Sequence, residues 1–446
     1  MVLALACGDD AAPLEDAGVD TATGEDAGDA GFDAGLPPLD LPPLEAANAI
    51  TPAEGEEVYQ GMIRFLWDNW GVEVLDEWPP AEFMLQLMAD EPEVFGNQYE
   101  SFGFLPDPND DFPVGFKRGL EDETLMHETC ALCHVGELPD GRIWIGAPNT
   151  RLRFGDFRVE VNQRWVAAGN APLISDLTET KARAFGPGRT SAESRDFPQV
   201  IPVDFPPYWN LSTTPRLNYL GTSRNVRSEV YLGMFAFGAG RPNPEEAVVP
   251  FPDRELMFQL VSWFEVMRSP VGPSEDDALV SQGRALFERE RCTSCHNDDP
   301  SQNPVAVYSP DGVERIPGDD PMFEDGTIAT SELHRTLLDG DGGPDEEARA
   351  DFIDFILRNR LAVGMSDGYR TPQLTGTWAT APYLHNGSVP TLEDLLRPVA
   401  ERPTVFDRHG FTVDTAVAGN SNEGHEFGTT ITEEERTALV AYLRSL

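Results

Sequence analysis

Two pentads in the chain could do chemistry: Cys130-Ala-Leu-Cys133-His134 and Cys292-Thr-Ser-Cys295-His296. Thiols at this spacing can each add to one vinyl group of a porphyrin, and the histidine next in line then swings under the iron. A zinc site made from two such cysteine pairs would place them within roughly 15–20 residues of each other. Here the pairs lie far apart and each runs into a histidine. The motifs therefore predict two covalently bound c-type haems, with His134 and His296 as proximal iron ligands. Cys7 is left over, so the five cysteines do not make a disulfide framework.

The sixth ligand of each iron separates an electron carrier from an enzyme. A haem whose two axial positions are filled passes electrons, whereas an open position can take dioxygen or peroxide. The histidines are His127, His134, His296, His334, His385, His409 and His425, and none falls between 134 and 296. His127 stands three residues before Cys130, which points it away from the distal side. The first haem is then either bound by Met234, Met257 or Met267, or open, and open is the expectation. The second can draw on Met322, Met365 and the four later histidines. Among these, His385 stands in TAPYLHNGSVPTLEDLL and His425 in GNSNEGHEFG, a Gly/Asn-rich loop just before the last helix.

These residues need elements to hold them. Thr51 is a plausible N-cap with Pro52 at the first helical position, and Val58, Met62, Phe65, Leu66 and Trp70 keep helical spacing. The segment 135–250 is rich in Pro and Gly and has few periodic stretches. Helices are expected again at 252–269, at 274–291 running straight into the second cysteine pair, and at the C-terminus. There Thr432 and Glu435 form a capping box ahead of an apolar face of Leu439, Tyr442 and Leu443. A helix leading into the cysteines, with a terminal helix able to cross it at Gly283, resembles the helix pair of cytochrome c. The expected fold is mainly α: two cytochrome c-like haem domains, 49–271 and 272–446, with long irregular loops, behind a disordered acidic tail, 1–48.

The chain has 446 residues and a formal charge of −45, and its first 45 residues hold 11 of the 77 acidic groups and none of the 32 basic ones. The Asp/Ala/Gly/Pro-rich stretch 8–45 has almost nothing to bury and reads as a disordered spacer. Such a charge excludes nucleic acid and anionic membrane faces as partners and steers a basic protein, such as a basic cytochrome, toward the surface. No stretch approaches the ~20 apolar residues of a membrane-spanning helix. The opening MVLALACGDD reads as the end of a bacterial lipoprotein leader whose start was assigned late, with Cys7 lipidated. That predicts a periplasmic or cell-surface protein whose one membrane contact is this anchor.

A resemblance enters at 369–398, YRTPQLTGTWATAPYLHNGSVPTLEDLLRP, which is similar to a segment shared by bacterial di-haem cytochrome c peroxidases and their relatives. Those peroxidases carry a methionine ligand about a dozen residues beyond the PYxHxG motif; this chain has no methionine after Met365. GNSNEGHEFG with its terminal helix instead resembles the rubber oxygenase-like branch of that superfamily. The resemblance implies that His425 ligates the second haem opposite His296. A bis-histidine site should have a lower potential than a Met/His pair. FPVGFKRG, CALCHVGELPDGRIWIGAPNTRL and PPYWNLSTTPRLNYLGTSRNVRSEVYLGMFAFGAG are similar to the first-haem region of the same branch. The last of these forms the distal wall there, commonly with an aromatic at the position of Tyr219; the peroxidases carry a catalytic glutamate nearby, and Glu229 is the nearest acid here. The likeness covers most of 100–446; known rubber oxygenases are considerably longer, so no substrate is implied.

Splitting an O–O bond at iron needs a proton carrier and donors for the departing oxygen. Glu229 is the candidate carrier, with Arg224, Asn225 and Arg227 as candidate donors, while Phe235 and Phe237 read as core. Arg370 is a candidate partner for a haem propionate, His385 reads as supporting structure and His334 as surface. The acidic run 339–343 lacks the ligands of a cation site. The expected function is an extracytoplasmic oxidoreductase, peroxidase-like, whose first haem meets peroxide or dioxygen while the second transfers electrons with a donor or acceptor protein. The alternatives are an electron-transfer cytochrome with no catalytic haem and an oxygenase that cleaves an apolar substrate.

Overall fold

The computed structural model describes residues 44–67, 78–119, 122–191, 202–214, 217, 219, 223, 225–236, 254–296, 307–308, 369–417 and 419–446. Cys7, Trp70, Arg224, Phe237, Met322, His334, Met365 and the acidic run 339–343 lie outside the described residues, as does almost all of the acidic tail. By contacts the chain separates into Met1–Pro37 and Pro38–Leu446, and every described residue belongs to the second unit.

Among the described residues helices dominate, and the sheets are five separate antiparallel pairs. Thr51 does cap a turn, its amide donating to Glu54 Oε2 at 2.8 Å, but that turn is a short 3-10 helix, Pro52–Glu54. The first α-helix, α1 (Glu56–Trp67), starts after Gly55. Next along the chain come α2 (Ala81–Asp90), α3 (Pro92–Phe95) and a single turn, α4 (Ala131–His134), which contains most of the first motif.

Within the segment that reads as irregular lie α5 (Phe154–Ala167), α6 (Asp176–Phe185) and α7 (Val226–Ala236). The first of these escapes a periodicity search for a physical reason. Its buried residues Phe157, Val159 and Val161 alternate as in a strand. They can do so because α5 is covered on two sides: Phe157 and Val161 belong to the aromatic core of Phe95, Tyr99, Phe102, Phe104, Phe112 and Phe116, and Val159 packs with Ile174 and Ala182.

The remaining helices are α8 (Arg254–Val266), α9 (Asp277–Arg289), the short α10 (Leu392–Leu395) and α11 (Glu433–Ser445). Of these, the three long ones sit close to where their sequence signals place them. Asp276 caps α9 by accepting from the amides of Ala278 and Leu279, at 2.9 and 3.1 Å. In the Thr432 capping box, the Thr432 amide donates to Glu435 Oε2 at 3.0 Å and the Glu435 amide to Thr432 Oγ1 at 3.3 Å.

Among the described residues, two crossings of long helices each depend on a glycine. A Cβ at Gly283 of α9 would lie 2.0 Å from the Ala438 carbonyl oxygen of α11, and one at Gly61 of α1 would lie 2.0 Å from the Gln259 carbonyl oxygen of α8. No side chain fits at either point, so the backbones touch. In sequence, α1 and α8 thus bracket the first motif and cross each other, and α9 and α11 do the same for the second. Trp209 and Trp378 share a buried cluster with Leu138, Ala147 and Ala379.

Candidate functional site

The two motifs are built to one plan. In the first, the His134 amide donates to the Cys130 carbonyl at 3.0 Å; in the second, the His296 amide donates to the Cys292 carbonyl at 2.8 Å. This single helical turn puts the first cysteine, the second cysteine and the histidine on one face, as residues three and four apart must be. None of the four cysteines is in a disulfide, and all are half-buried. Burial raises the Cys130 thiol to about 12 and the Cys133 thiol well above its ordinary value, so both are uncharged at neutral pH.

The histidines are oriented the same way in both motifs. His134 Nδ1 lies 3.0 Å from the Pro206 carbonyl oxygen, and His296 Nδ1 lies 3.0 Å from the Pro372 carbonyl oxygen. A carbonyl can only accept, so Nδ1 carries the proton in each ring and Nε2 keeps its lone pair. Burial holds His134 at about 3, against the smaller opposing effect of its bond to Pro206, and lowers His296 in the same direction. A neutral imidazole, fixed through Nδ1 and free at Nε2, is the form that haem iron binds. Tyr208 stacks flat on the first ring, with centroids 3.8 Å apart and planes 12° off parallel.

His425 faces the second motif histidine. The centroids of His296 and His425 are 6.4 Å apart. Two imidazole–iron bonds of about 2 Å, plus about 1 Å from each nitrogen to its ring centre, require roughly 6 Å. Burial of the His425 ring holds its pKa at about 4, and its Nδ1 has no hydrogen-bond partner among the described residues. An orphaned, uncharged ring nitrogen at that separation fits a metal between the rings. Around it opens a cavity of about 410 Å³, lined by Cys292, Cys295, Leu396, Leu443 and Phe427 among others. The donor set, the cysteines held out of disulfides and this largely apolar void fit a covalent haem.

The other candidate residues are distributed as follows. Arg370 and Tyr219 line the same cavity, and the Arg370 amide donates to the Tyr219 carbonyl at 3.0 Å. Burial lowers the Arg370 guanidinium, opposed by the charges of Tyr219 and Glu229. Glu229 is half-buried in the first turn of α7 and also acts on Tyr208, whose phenol burial has already raised. Asn225 is exposed and accepts at its side-chain oxygen from the Ser228 amide, 2.8 Å, as a helix cap does. Arg227 is exposed, with its guanidinium 5.1 Å from the Tyr231 ring centre. Met234, Met257 and Met267 are all buried. His127 Nε2 donates to the Trp67 carbonyl at 2.9 Å, and His385 lines the cavity.

Several contributors have no motif. Pro206 and Pro372 act through their carbonyls, Tyr208 through its face, and Arg402 through hydrogen bonds to the loop of His425. The recurrence of a Pro carbonyl behind each motif histidine is a signal visible only once the chain is folded.

Residues 368–407 match a family model described as RoxA-like, cytochrome c-like. Two curated proteins of Sinorhizobium fredii (strain NBRC 101917 / NGR234) are similar. Uncharacterized protein y4iJ is 41% identical over 105 residues, covering 18% of this chain and 18% of its own. Uncharacterized protein y4iM is 34% identical over 154 residues, covering 32% and 34%. The chain thus matches about a third or less of the length of these relatives. Among solved structures, hydrazine synthase of Kuenenia stuttgartiensis aligns with a TM-score of 0.29 at 13% identity, over 59% of this chain and 78% of that one. A MauG-like protein associated with microbial copper homeostasis aligns with a TM-score of 0.33 at 18% identity, over 66% and 87%. At these TM-scores neither likeness carries an argument about chemistry.

Cysteine pairs each ending in a neutral, oriented histidine define a c-type cytochrome, which holds haem iron through covalent thioether links. The family match at 368–407 is to a cytochrome c-like domain of RoxA-like type, which agrees with the two motifs. Among the described residues no helix is long and apolar enough to cross a membrane.

Proposed function

We propose that the chain is an extracytoplasmic oxidoreductase carrying two covalent haems with unequal tasks. The haem on Cys130 and Cys133 meets peroxide or dioxygen, and the one on Cys292 and Cys295 exchanges electrons with a partner protein. Bound haem iron supplies one-electron redox chemistry and, where an axial position is open, a place for a small oxidant. The observation that carries the reading is the 6.4 Å facing of His296 and His425. It leaves the second iron saturated, while the chain offers no histidine between 134 and 296 for the first.

Two haem units, 49–271 and 272–446, are supported by the two glycine crossings and by the shared plan of the motifs. Reduction of peroxide to water takes up protons as well as electrons, so a carrier is needed near the first haem. Glu229 is the residue assigned to that task, because it is half-buried and within electrostatic reach of both Tyr208 and Arg370. Tyr219 and Arg370 form the polar part of an otherwise apolar wall, and Arg370 is suited to a haem propionate. Arg227 and Asn225 stand on the solvent side of the same helix start. The acidic surface suits a basic electron donor, and a lipid link at Cys7 would hold the protein at a periplasmic or outer face.

The absorption and EPR spectra of the purified protein test this. One high-spin and one low-spin haem is the expected result; two low-spin haems that ignore cyanide and peroxide would make the protein an electron carrier.

A further inference from the structure

We propose that Arg402 is the positioning residue for the axial ligand His425: it clamps the ligand loop to the wall of the haem cavity. This inference rests on the reading of His425 as the second iron's ligand. Arg402 is 3% exposed. A guanidinium has five N–H donors in a fixed fork, and here each one has a main-chain carbonyl.

Nη1 donates to the carbonyls of Asn422 and Gly424 at 2.6 and 2.7 Å. Nη2 donates to those of His425 and Leu395 at 3.0 and 3.1 Å, and Nε to that of Arg397 at 3.1 Å. Three of these acceptors belong to the loop 422–425. The other two close the end of α10, where helix carbonyls have no partner of their own. Leu395 and Leu396, at that end, line the cavity. One rigid group therefore fixes the distance between a cavity wall and the loop that presents the ligand.

The loop needs such a brace. Gly424 has φ of 96° and His425 φ of 49°, and a histidine in the left-handed region is held there only by its surroundings. Asn422 adds a return bond, its side-chain amide donating to the Pro403 carbonyl at 3.0 Å. Asn386 ties the loop's far end by donating to the carbonyls of Gly419 and Ser421 at 2.9 and 3.0 Å. Of these groups only Arg402 touches the residue that carries the ligand. Its charge also bears on the His425 ring, after burial and His296.

The test uses full-length, haem-loaded protein in four forms: wild type, Arg402→Met, Arg402→Lys and His425→Ala. Cyanide is titrated in while EPR follows the two-histidine signal of the second haem, and urea unfolding is measured in parallel. Loss of a group that orients a metal ligand costs roughly 10- to 100-fold in the hold on the metal. Arg402→Met should therefore lose the two-histidine signal at cyanide concentrations roughly 10- to 100-fold below wild type. Arg402→Lys, which keeps charge and some donors, should fall between them.

A folded Arg402→Met with the wild-type titration overturns the proposal. So does failure of both Arg402 variants to accumulate as folded haem protein, which would make Arg402 a folding residue. His425→Ala separates the two ideas. If it keeps the low-spin signal, the ligand assignment itself is wrong and the clamp has nothing to position. If it loses that signal while the Arg402 variants titrate as wild type, only the clamp is wrong.

Discussion

Gln373 and Trp209 are tied in both directions: the Gln373 side-chain amide donates to the Trp209 carbonyl at 2.6 Å, and the Trp209 indole donates to the carbonyl of Thr375, two residues along from Gln373, at 3.2 Å. Pro206, three residues before Trp209, receives His134, and Pro372, next to Gln373, receives His296. The two motif histidines are therefore joined by a short path of hydrogen bonds and backbone that passes through Trp209. Trp209→Ala should cost about 3–5 kcal/mol, because the indole is fully enclosed, and it should slow electron passage between the haems. Trp209→Phe keeps most of the bulk and loses the bond to Thr375, worth about 1 kcal/mol. Urea unfolding and stopped-flow equilibration of the half-reduced protein report the two effects separately; an alanine variant with wild-type stability and rate would refute both.

The crossing of α9 and α11 predicts a sharp position effect among glycines. Gly283→Leu must drive the helices apart, since even a Cβ there would sit 2.0 Å from a carbonyl oxygen. About 3 kcal/mol or more of stability should be lost, at the upper end of overpacking costs. Gly233 in α7 is the control, because a Cβ there meets no described atom within 4 Å. Gly233→Ala should be neutral or stabilise by up to about 1 kcal/mol from helix propensity. Equal urea midpoints for the two variants would contradict the crossing.

How much of this was legible depends on which interactions leave a trace in residue type. The cysteine pairs, their histidines and helices α8, α9 and α11 could be read because thiol spacing, an Asp or Thr cap and a 3.6-residue apolar stripe are local patterns. The α5 helix could not be read, since Phe157, Val159 and Val161 repeat every second residue and burial against two separate clusters removes the need for a stripe. Pro206, Pro372 and the acceptors of Arg402 contribute only carbonyls, and every residue has one. The pairing of α1 with α8 needed a close approach at Gly61, and no single glycine announces that in a sequence. Asn225 had the right residue type for a polar pocket, yet the same type is also what starts a helix, and its side chain does so here.

Lys117 gives a prediction about stability alone. Its ammonium donates to Asp107 Oδ2 at 2.7 Å, to Asp110 Oδ2 at 3.2 Å and to the Phe112 carbonyl at 3.2 Å, and both Lys117 and Asp107 are buried. Removing one partner leaves the other charge enclosed, so Lys117→Met should destabilise by about 3–5 kcal/mol. Adding Asp107→Leu should recover part of that loss, because the double variant no longer buries that charge. A double variant less stable than Lys117→Met would show that Asp107 has a separate structural task, through its Oδ1 acceptance from the Asn109 amide at 3.0 Å.

Two histidines reach the cavity beside His296, and they should behave differently. The His425 ring is 6.4 Å from that of His296, centre to centre, whereas His385 lines the void on a segment whose carbonyl accepts from the Asp204 amide at 2.8 Å. His425→Ala should turn the second haem from low to high spin, and added imidazole, which can occupy the vacated volume, should restore the low-spin spectrum. His385→Ala should leave that spectrum in place. The comparison is read by absorption and EPR on the two purified variants, with haem content checked first so that a lost cofactor is not taken for a lost ligand. If His385→Ala is the variant that goes high-spin, the iron sits further along the cavity than the facing rings of His296 and His425 imply, and His425 becomes a wall residue.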